Sequence, residues 1–193
     1  MKKIYFVTSN KGKFAEAQKK FLEINIDVVQ KNIGYPEIQA NSLEEVAIFG
    51  VENVLTRLNQ PFILEDTGLF IDALAGFPGV YSAYVYQTIG LNGVLKLMNG
   101  TKDRKAVFRS VFAYGAPGCK PQLFVGECKG VISTVKRGSN GFGYDPIFIP
   151  QNSSKTFAEM DICQKNSCSH RGKSLEKLID FFKINAGEEI WTF

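Results

Sequence analysis

Short apolar runs alternate along the chain with segments in which apolar residues recur at helical spacing, which indicates strands alternating with helices. Residues 3–8 form a short apolar run typical of a buried strand, and apolar residues then recur at helical spacing from Phe14 to Ile24. A second strand is predicted over residues 26–33. The remaining strands are predicted over 61–66, with 68–72 continuing or following it, and over 105–114, 123–134 and 147–149.

The predicted helices have recognisable ends. Ser42 followed three residues later by Glu45 is a capping box, and it starts a helix over the apolar positions that follow. Two short helices fit residues 81–99. A last long helix ends at Asn185 and Gly187, since these residues commonly terminate helices.

The connections between the elements decide the fold class. The turn over residues 117–121 contains two prolines and a glycine, so the strands on either side form an antiparallel hairpin. The first strand–helix–strand unit favours a parallel pair, because parallel strands need a crossover. We therefore predict an α/β fold with a mixed sheet. The 193 residues, 45% of them hydrophobic, supply one sizeable core, so a single domain over 1–193 is expected.

Composition and charge exclude several functional classes. The net charge of +4 comes without a basic run, which suits an anionic ligand but not a nucleic acid. No apolar run approaches the roughly 20 residues of a membrane span, and the N-terminal one is too short for a signal peptide. The four cysteines form no C-x-x-C pair and the chain has one histidine, so zinc is not predicted. A cytoplasmic protein with reduced thiols is expected.

The segment from Thr8 to Lys13 is the first candidate for chemistry. Backbone N–H groups at a helix start are free and the helix dipole favours an anion, while Lys11 and Lys13 add positive charge. Lys13 is followed by Phe14 rather than by serine or threonine, so the segment is not a Walker A loop. Either a phosphate-binding loop or a plain helix cap fits this pattern.

Acidic residues supply the second candidate. Glu37 follows a proline, and Glu65 and Asp66 are adjacent at the predicted end of a strand. Carboxylates crowded there suit magnesium, which prefers oxygen ligands and bridges phosphates. Neighbouring strand residues point to opposite faces, so Glu65 and Asp66 cannot both face one site without local distortion. Ordinary exposed loop acids are the alternative.

Two further segments contain candidates for binding a flat ligand. Glycines flank Phe142, so Phe142 or Tyr144 could stack on a base, with a tight loop around a buried aromatic ring as the alternative. Residues 165–171 include His170 beside an arginine, where a structural histidine is the alternative. Phosphate donors, carboxylates, a stacking ring and base-edge donors together fit a nucleotide.

The chain resembles the inosine triphosphate pyrophosphatase family over nearly its whole length, from Phe6 to about Phe182. The resemblance rests on a set of motifs in a fixed order, which is far more specific than one short motif. The motifs are Thr8–Lys13, Tyr35–Gln39, Glu65–Leu69, Gly76–Ser82, Gly141–Asp145, Thr156–Met160 and Lys165–Arg171.

This resemblance implies an activity and a fold. The activity is magnesium-dependent hydrolysis of non-standard purine triphosphates (ITP, dITP and XTP) to the monophosphate and pyrophosphate, which sanitises the nucleotide pool. The fold is a long, curved mixed sheet flanked by helices, with two lobes and a central cleft. The implied assembly is a homodimer.

The resemblance also implies roles for individual residues. Glu37 and Asp66 bind Mg²⁺, Asp66 is the general base and Lys13 shares in catalysis, while Thr67 contacts the substrate. Whether Glu65 touches the metal is left open. The triphosphate is held by Thr8, Ser9, Asn10, Lys11, Gly12 and Lys13, and the nucleoside pocket is formed by Phe142, Gly143, Tyr144, Asp145, Lys165, His170 and Arg171.

The choice of base follows from hydrogen-bond polarity. Hypoxanthine and xanthine present a 6-oxo acceptor where adenine presents an amine. Arg171 and backbone N–H groups near His170 are donors that suit the oxygen. A buried donor left unpaired against an amine costs about 1–3 kcal/mol.

The sequence departs from the family pattern where many relatives carry basic residues. Phe49 stands in the helix after the capping box, and Ala83 and Tyr84 follow the Tyr-Ser pair. These changes remove positive charge that helps with phosphate and leave the metal and the base. The alternatives are a Maf-type pyrophosphatase of modified nucleotides and a nucleotide sensor that binds without cutting.

Overall fold

The computed structural model describes residues 2–36 and 38–185. Its helices within these ranges are α1 (Lys11–Leu22), α2 (Leu43–Leu55), α3 (Ser82–Thr88), α4 (Gly90–Leu97), α5 (Ile162–Cys168) and α6 (His170–Ile184). The strands are β1 (Lys2–Val7), β2 (Ile26–Lys31), β3 (Phe62–Ile71), β4 (Pro78–Gly79), β5 (Lys105–Gly115), β6 (Gln122–Ile132) and β7 (Phe148–Pro150). No helix in the described ranges reaches the length and apolar character that crossing a membrane requires.

The strands belong to one mixed sheet. Its order is β2-β1-β3-β5-β6-β7, with β4 paired to β3. β1 is parallel to both β2 and β3, whereas β4 is antiparallel to β3 and β7 is antiparallel to β6. The predicted α/β class with a mixed sheet is confirmed, and β5 and β6 are neighbours as the predicted hairpin requires.

The chain divides into two compact units, each discontinuous in sequence. Unit 1 takes its described residues from Met1–Asp66, Val111–Val125 and Ser174–Phe193, and unit 2 consists of Thr67–Ser110 and Gly126–Lys173. The borders fall inside β3, β5, β6 and α6. The single domain over residues 1–193 stays a prediction.

Unit 1 starts with a parallel βαβ unit. β1 and β2 pair from Lys2–Ile26 to Val7–Lys31, with α1 as the crossover. α2 begins after Ser42, whose side chain accepts a hydrogen bond from the Glu45 N–H at 3.3 Å, so the N-cap half of the predicted capping box is confirmed. The Glu45 carboxylate accepts from the Ser42 hydroxyl at 3.0 Å and from the Asn41 N–H at 3.3 Å. The core of this unit is formed by Ile4, Phe6, Ala17, Phe21, Ile26, Val28, Ile63, Phe112, Tyr114, Ala116, Leu175, Leu178 and Phe182.

Unit 2 has a separate, aromatic-rich core. The Phe108 ring lies edge-on to Phe148 with centroids 4.7 Å apart and stacks on Phe157 at 6.0 Å. Burying such rings is a large part of what stabilises a unit of this size. The other core residues are Leu69, Ile71, Val85, Val94, Met98, Ala106, Cys128, Ile132, Tyr144, Ile147 and Met160.

Residues 68–71 continue the strand that contains the acidic pair, which is one of the two predicted possibilities. β3 runs without a break to Ile71, so Glu65 and Asp66 lie within a strand and not at its end. The segment from Lys165 to Arg171 covers the end of α5 at Cys168 and the start of α6 at His170. Glu37, Gly187 and the tail 188–193 lie outside the described residues.

Candidate functional site

In unit 1, the carboxyl end of β1 brings the Thr8–Lys13 segment to the acidic pair. β1 and β3 pair in parallel from Tyr5–Phe62 to Val7–Leu64. The chain therefore leaves β1 at the position where Glu65 and Asp66 follow along β3. Ligands in parallel sheets commonly bind at this edge.

The N-terminus of α1 is capped by its own loop. The Asn10 side-chain oxygen accepts hydrogen bonds from the N–H groups of Gly12 at 2.9 Å and Lys13 at 3.1 Å. The Thr8 hydroxyl oxygen accepts from the Asn10 N–H at 3.1 Å. The expectation that the N–H groups of this turn are free is therefore wrong for Gly12 and Lys13, and the helix-cap alternative describes Asn10. Ser9 and Lys11 are exposed.

Lys13 is bound to Glu65 rather than extended into solvent. Its Nζ lies 2.7 Å from Glu65 Oε2 and donates a hydrogen bond to the Glu65 carbonyl oxygen at 2.9 Å. The Glu65 side chain is fully buried and that of Lys13 is 19% exposed. The alternative of ordinary exposed loop acids is thus wrong for Glu65, whose carboxylate neutralises and orients the lysine.

Asp66 is half-buried and has a different neighbour. The Tyr35 hydroxyl donates a hydrogen bond to Asp66 Oδ2 at 2.8 Å. Glu65 and Asp66 thus bond to different partners, as expected for successive strand residues. Glu37, two residues after Tyr35, lies outside the described residues. Within residues 2–36 and 38–185, no three His, Cys, Asp or Glu side chains are grouped as a metal site.

In unit 2, Asp145 and Lys165 form a buried ion pair. Lys165 Nζ on α5 lies 2.6 Å from Asp145 Oδ2, and both side chains are 4% exposed. The same carboxylate oxygen accepts from the Phe142 N–H at 2.8 Å. Gly141, at φ +73°, allows this tight turn, because a Cβ there would overlap the Asp145 carboxylate. The pair therefore fixes the loop that presents Phe142.

Two cations lie against the half-buried Phe142 ring. Lys165 Nζ is 4.7 Å from the ring centroid and the Arg171 guanidinium carbon is 5.2 Å from it, both within cation–π range. Arg171 Nη2 also donates to the Thr67 hydroxyl oxygen at 3.1 Å. Arg171 thus links Thr67 and Phe142, and both of those residues are partly exposed while Arg171 is buried.

Two residues of the predicted pocket are core residues in unit 2. The His170 ring stacks on Phe108 with centroids 4.4 Å apart and planes 9° apart, which matches the structural alternative. The Tyr144 hydroxyl donates to the Ser82 carbonyl oxygen at 2.8 Å, and burial, with Tyr86 nearby, raises the pKa of Tyr144 above its usual range. Stacking of Tyr144 on a base is therefore corrected to a buried aromatic, which leaves Phe142 as the stacking candidate.

The junction of α5 and α6 positions the cationic cluster, by which we mean Lys165 and Arg171 beside the Phe142 ring. Gly172 is required there, because a Cβ at this position would overlap the Asn166 carbonyl oxygen. The Ser169 hydroxyl oxygen accepts from the Gly172 N–H at 3.0 Å and caps α6. Burial raises the pKa of the neighbouring Cys168 thiol, with Lys173 and Lys165 opposing the rise.

Two residues that shape the site, Tyr35 and Gly172, had no role predicted from the sequence, although Tyr35 belongs to one of the family motifs. A tyrosine next to a proline gives no signal for a partner 31 residues away, and one glycine in a helical pattern signals close packing only weakly. Of the residues that depart from the family pattern, Phe49 is half-buried on α2, and Ala83 and Tyr84 are exposed on α3.

Known proteins resemble this chain in family profile, in sequence and in structure. The sequence profile of the Ham1 family matches residues 4–181. A protein of Pyrococcus horikoshii named dITP/XTP pyrophosphatase is 52% identical over 95% of this chain and 98% of its own length. A protein of the same name from Thermococcus kodakarensis is 51% identical over the same shares. The Ham1 protein of Staphylococcus aureus superposes with a TM-score of 0.82 at 31% identity, covering 95% of this chain and 100% of that one.

Proposed function

The chain belongs to the Ham1 family, and from that premise we propose that it is a nucleoside triphosphate pyrophosphatase. It hydrolyses ITP, dITP and XTP between the α- and β-phosphates, releasing the monophosphate and pyrophosphate. The observation that carries the proposal is the near-full-length likeness to proteins named dITP/XTP pyrophosphatase. The role that follows is removal of non-standard purines from the nucleotide pool.

The phosphates are bound by unit 1 in this proposal. Thr8, Ser9, Asn10, Lys11, Gly12 and Lys13 form the loop at the carboxyl end of β1. Lys13 has three ammonium hydrogens, and its two bonds to Glu65 leave one for a phosphate oxygen. Because Glu65 holds the ammonium in place, little side-chain entropy is lost when phosphate binds.

A divalent metal, which we take to be Mg²⁺, is proposed at Asp66 and Glu37. The donor chemistry fits, because Mg²⁺ takes carboxylate oxygens and is usually held by one or two carboxylates plus substrate phosphates rather than by a full protein cage. Asp66, half-buried within β3, is such a donor. When bound, the ion would neutralise phosphate charge and polarise the phosphoryl oxygens. Asp66 also accepts the proton of the attacking water.

The nucleoside is bound by residues of unit 2. Phe142 and Thr67, which are partly exposed, make direct contact with the substrate, with Phe142 stacking on the base. Gly143 and Tyr144 shape the loop, while Asp145, Lys165, His170 and Arg171 hold it. The positive charge of Lys165 and Arg171 beside the ring favours a base that presents an oxygen at position 6 over one that presents an amine.

A homodimer in the cytoplasm completes the proposal. The segment from Phe77 to Leu97 exposes several large apolar side chains, and exposed apolar patches mark interaction sites. The four cysteines, which all lie in the described residues, form no disulfide with one another, which suits reducing surroundings.

Pyrophosphate release tests the function directly. Purified protein is given ITP, dITP, XTP, GTP, ATP and UTP, each with and without Mg²⁺. We expect metal-dependent release from ITP, dITP and XTP and little from ATP. Dominant cleavage of UTP would favour a Maf-type activity, and ITP binding without release would favour a sensor; either result would overturn the proposal.

A further inference from the structure

We propose that Tyr35 is a positioning residue for Asp66, and that α2 holds Tyr35 in place. The inference rests on the proposed function, since it concerns the neighbour of the proposed general base. It assigns to Tyr35 a contribution to turnover through Asp66 and no contact with the reacting atoms.

The hydrogen bond between the two side chains is the first observation. The Tyr35 hydroxyl donates to Asp66 Oδ2 at 2.8 Å, and both residues are half-buried in unit 1. A hydrogen bond to a carboxylate is about twice as strong as one between neutral groups. It therefore restricts the carboxylate to one orientation, and a general base must be oriented toward the proton that it accepts.

The Tyr35 ring occupies a space that α2 provides. Gly50 on α2 is buried, and a Cβ there would lie 2.9 Å from Tyr35 Cε2, 3.0 Å from Tyr35 Cζ and 3.1 Å from Leu64 Cδ2. These separations are shorter than ordinary van der Waals contact. Glycine at position 50 is therefore what lets the ring lie between α2 and β3 with its hydroxyl at Asp66.

The backbone before Tyr35 is anchored to the end of the same helix. The Arg57 guanidinium donates hydrogen bonds to the carbonyl oxygens of Ile33 at 2.9 Å and Gly34 at 2.6 Å, and to the Asn53 side-chain oxygen at 2.7 Å. Gly34 turns at φ +55°. The ring is thus packed against α2 and the backbone is bound by Arg57 just after the end of α2, so this part of the chain sets the position of the Tyr35 hydroxyl.

Tyr35→Phe removes the hydroxyl and keeps the ring. With dITP we expect kcat to fall about tenfold to hundredfold, the range for losing one hydrogen bond to a charged group, while KM changes less than about twofold. Tyr5→Phe is the matched control, because Tyr5 is a half-buried tyrosine of β1 in the same unit; it should keep wild-type kcat. Gly50→Ala, which displaces the ring, should lower kcat in the same direction.

Unfolding free energies supply a readout that needs no activity. Tyr35→Phe, Asp66→Ala and the double variant form a cycle. Each single change removes one partner of the hydrogen bond, so we expect the two effects to be non-additive. Additive effects, or wild-type kcat in Tyr35→Phe while the wild type cleaves dITP, would overturn the positioning role and leave the proposed function intact. A wild type that releases no pyrophosphate would overturn both.

Discussion

Among single residues, Lys13 and Asp66 carry the proposed chemistry, and neighbouring side chains restrain both. Lys13 is held by the buried Glu65 at 2.7 Å, and Asp66 by Tyr35 at 2.8 Å. Groups that are already oriented lose less freedom when the substrate arrives, so more of the binding energy remains for catalysis. Because of these bonds, substituting Lys13 or Asp66 also disturbs its neighbour. The variants must therefore distinguish loss of the charged group from the effect on that neighbour.

Asp66→Asn tests the base with the least change in shape. The amide cannot accept the proton of the attacking water, so kcat should fall about 10²- to 10⁴-fold, the usual contribution of a general base. The variant should remain folded, because an amide oxygen still accepts from the Tyr35 hydroxyl. Steady-state kinetics with dITP and thermal unfolding measure the two effects. Turnover within about twofold of the wild type would remove Asp66 as the base.

Lys13→Ala should lower both stability and activity. It leaves the fully buried Glu65 carboxylate without its ion pair, at a cost of about 2–3 kcal/mol, somewhat below the range for completely buried pairs because Lys13 is partly exposed. Lys13→Ala with Glu65→Gln removes both charges and should recover most of the stability without recovering kcat/KM. Urea denaturation and kinetics distinguish the effects. Recovered kcat/KM in the double variant would exclude Lys13 from the phosphate site.

At the scale of elements, helices and strands with a regular apolar pattern could be predicted. Close backbone contacts between elements could not be predicted. β1, α1 and the α2 cap follow from local pattern. The sequence left open whether residues 68–72 continue the strand of the acidic pair, and the structure shows one continuous strand. A Cβ on Gly68 would lie 2.6 Å from the Gly79 carbonyl oxygen, so glycine here permits pairing with β4. α5 had a signal that was missed, the Asp161–Gln164 capping box.

Gly172→Ala tests how the α5–α6 junction supports the cationic cluster. The added methyl group would overlap the Asn166 carbonyl oxygen, so the helices must separate and Lys165 and Arg171 must shift from Phe142. We expect a loss of about 1–3 kcal/mol, as for overpacking, together with a raised KM for dITP. Glu176→Ala, at an exposed site on α6, is the control. Unchanged stability and KM would show that the junction does not position the cluster.

We expect the buried thiol of Cys128 on β6 to make the free energy of unfolding decrease as the pH becomes alkaline. Burial, with Cys168 adding to it and Lys173 opposing it, raises the pKa of the Cys128 thiol from 9.0 to about 11. Between these values the unfolded chain loses the proton and the folded protein keeps it, so stability falls as pH rises. Tyr114 acts in the same direction, because burial raises its pKa from 10.0 to about 12. Denaturation midpoints from pH 8 to 11 should fall less steeply in Cys128→Ala; equal slopes would contradict this.

Across the whole chain, the candidate residues divide between the two units. The phosphate loop and Asp66 belong to unit 1, while Thr67, Phe142 and the residues that hold it belong to unit 2. The motif order along the sequence was enough to name most of these residues. It could not give the Lys13–Glu65 and Tyr35–Asp66 bonds, because side-chain partners 31 or 52 residues apart depend on tertiary packing.

The exposed apolar residues of α3, α4 and the preceding turn lead to a prediction about assembly. These residues are Phe77, Tyr81, Tyr84, Tyr86, Ile89 and Leu97, and Tyr84 is the most exposed of them at 64%. A carboxylate at the centre of an apolar interface is costly to desolvate, so Tyr84→Asp should shift a dimeric wild type toward monomer. Ile184→Asp is the control, because Ile184 is an apolar residue on α6 that is 81% exposed. Sedimentation at micromolar concentration measures both. A monomeric wild type would refute the dimer, and a dimeric Tyr84→Asp would exclude this surface as its interface.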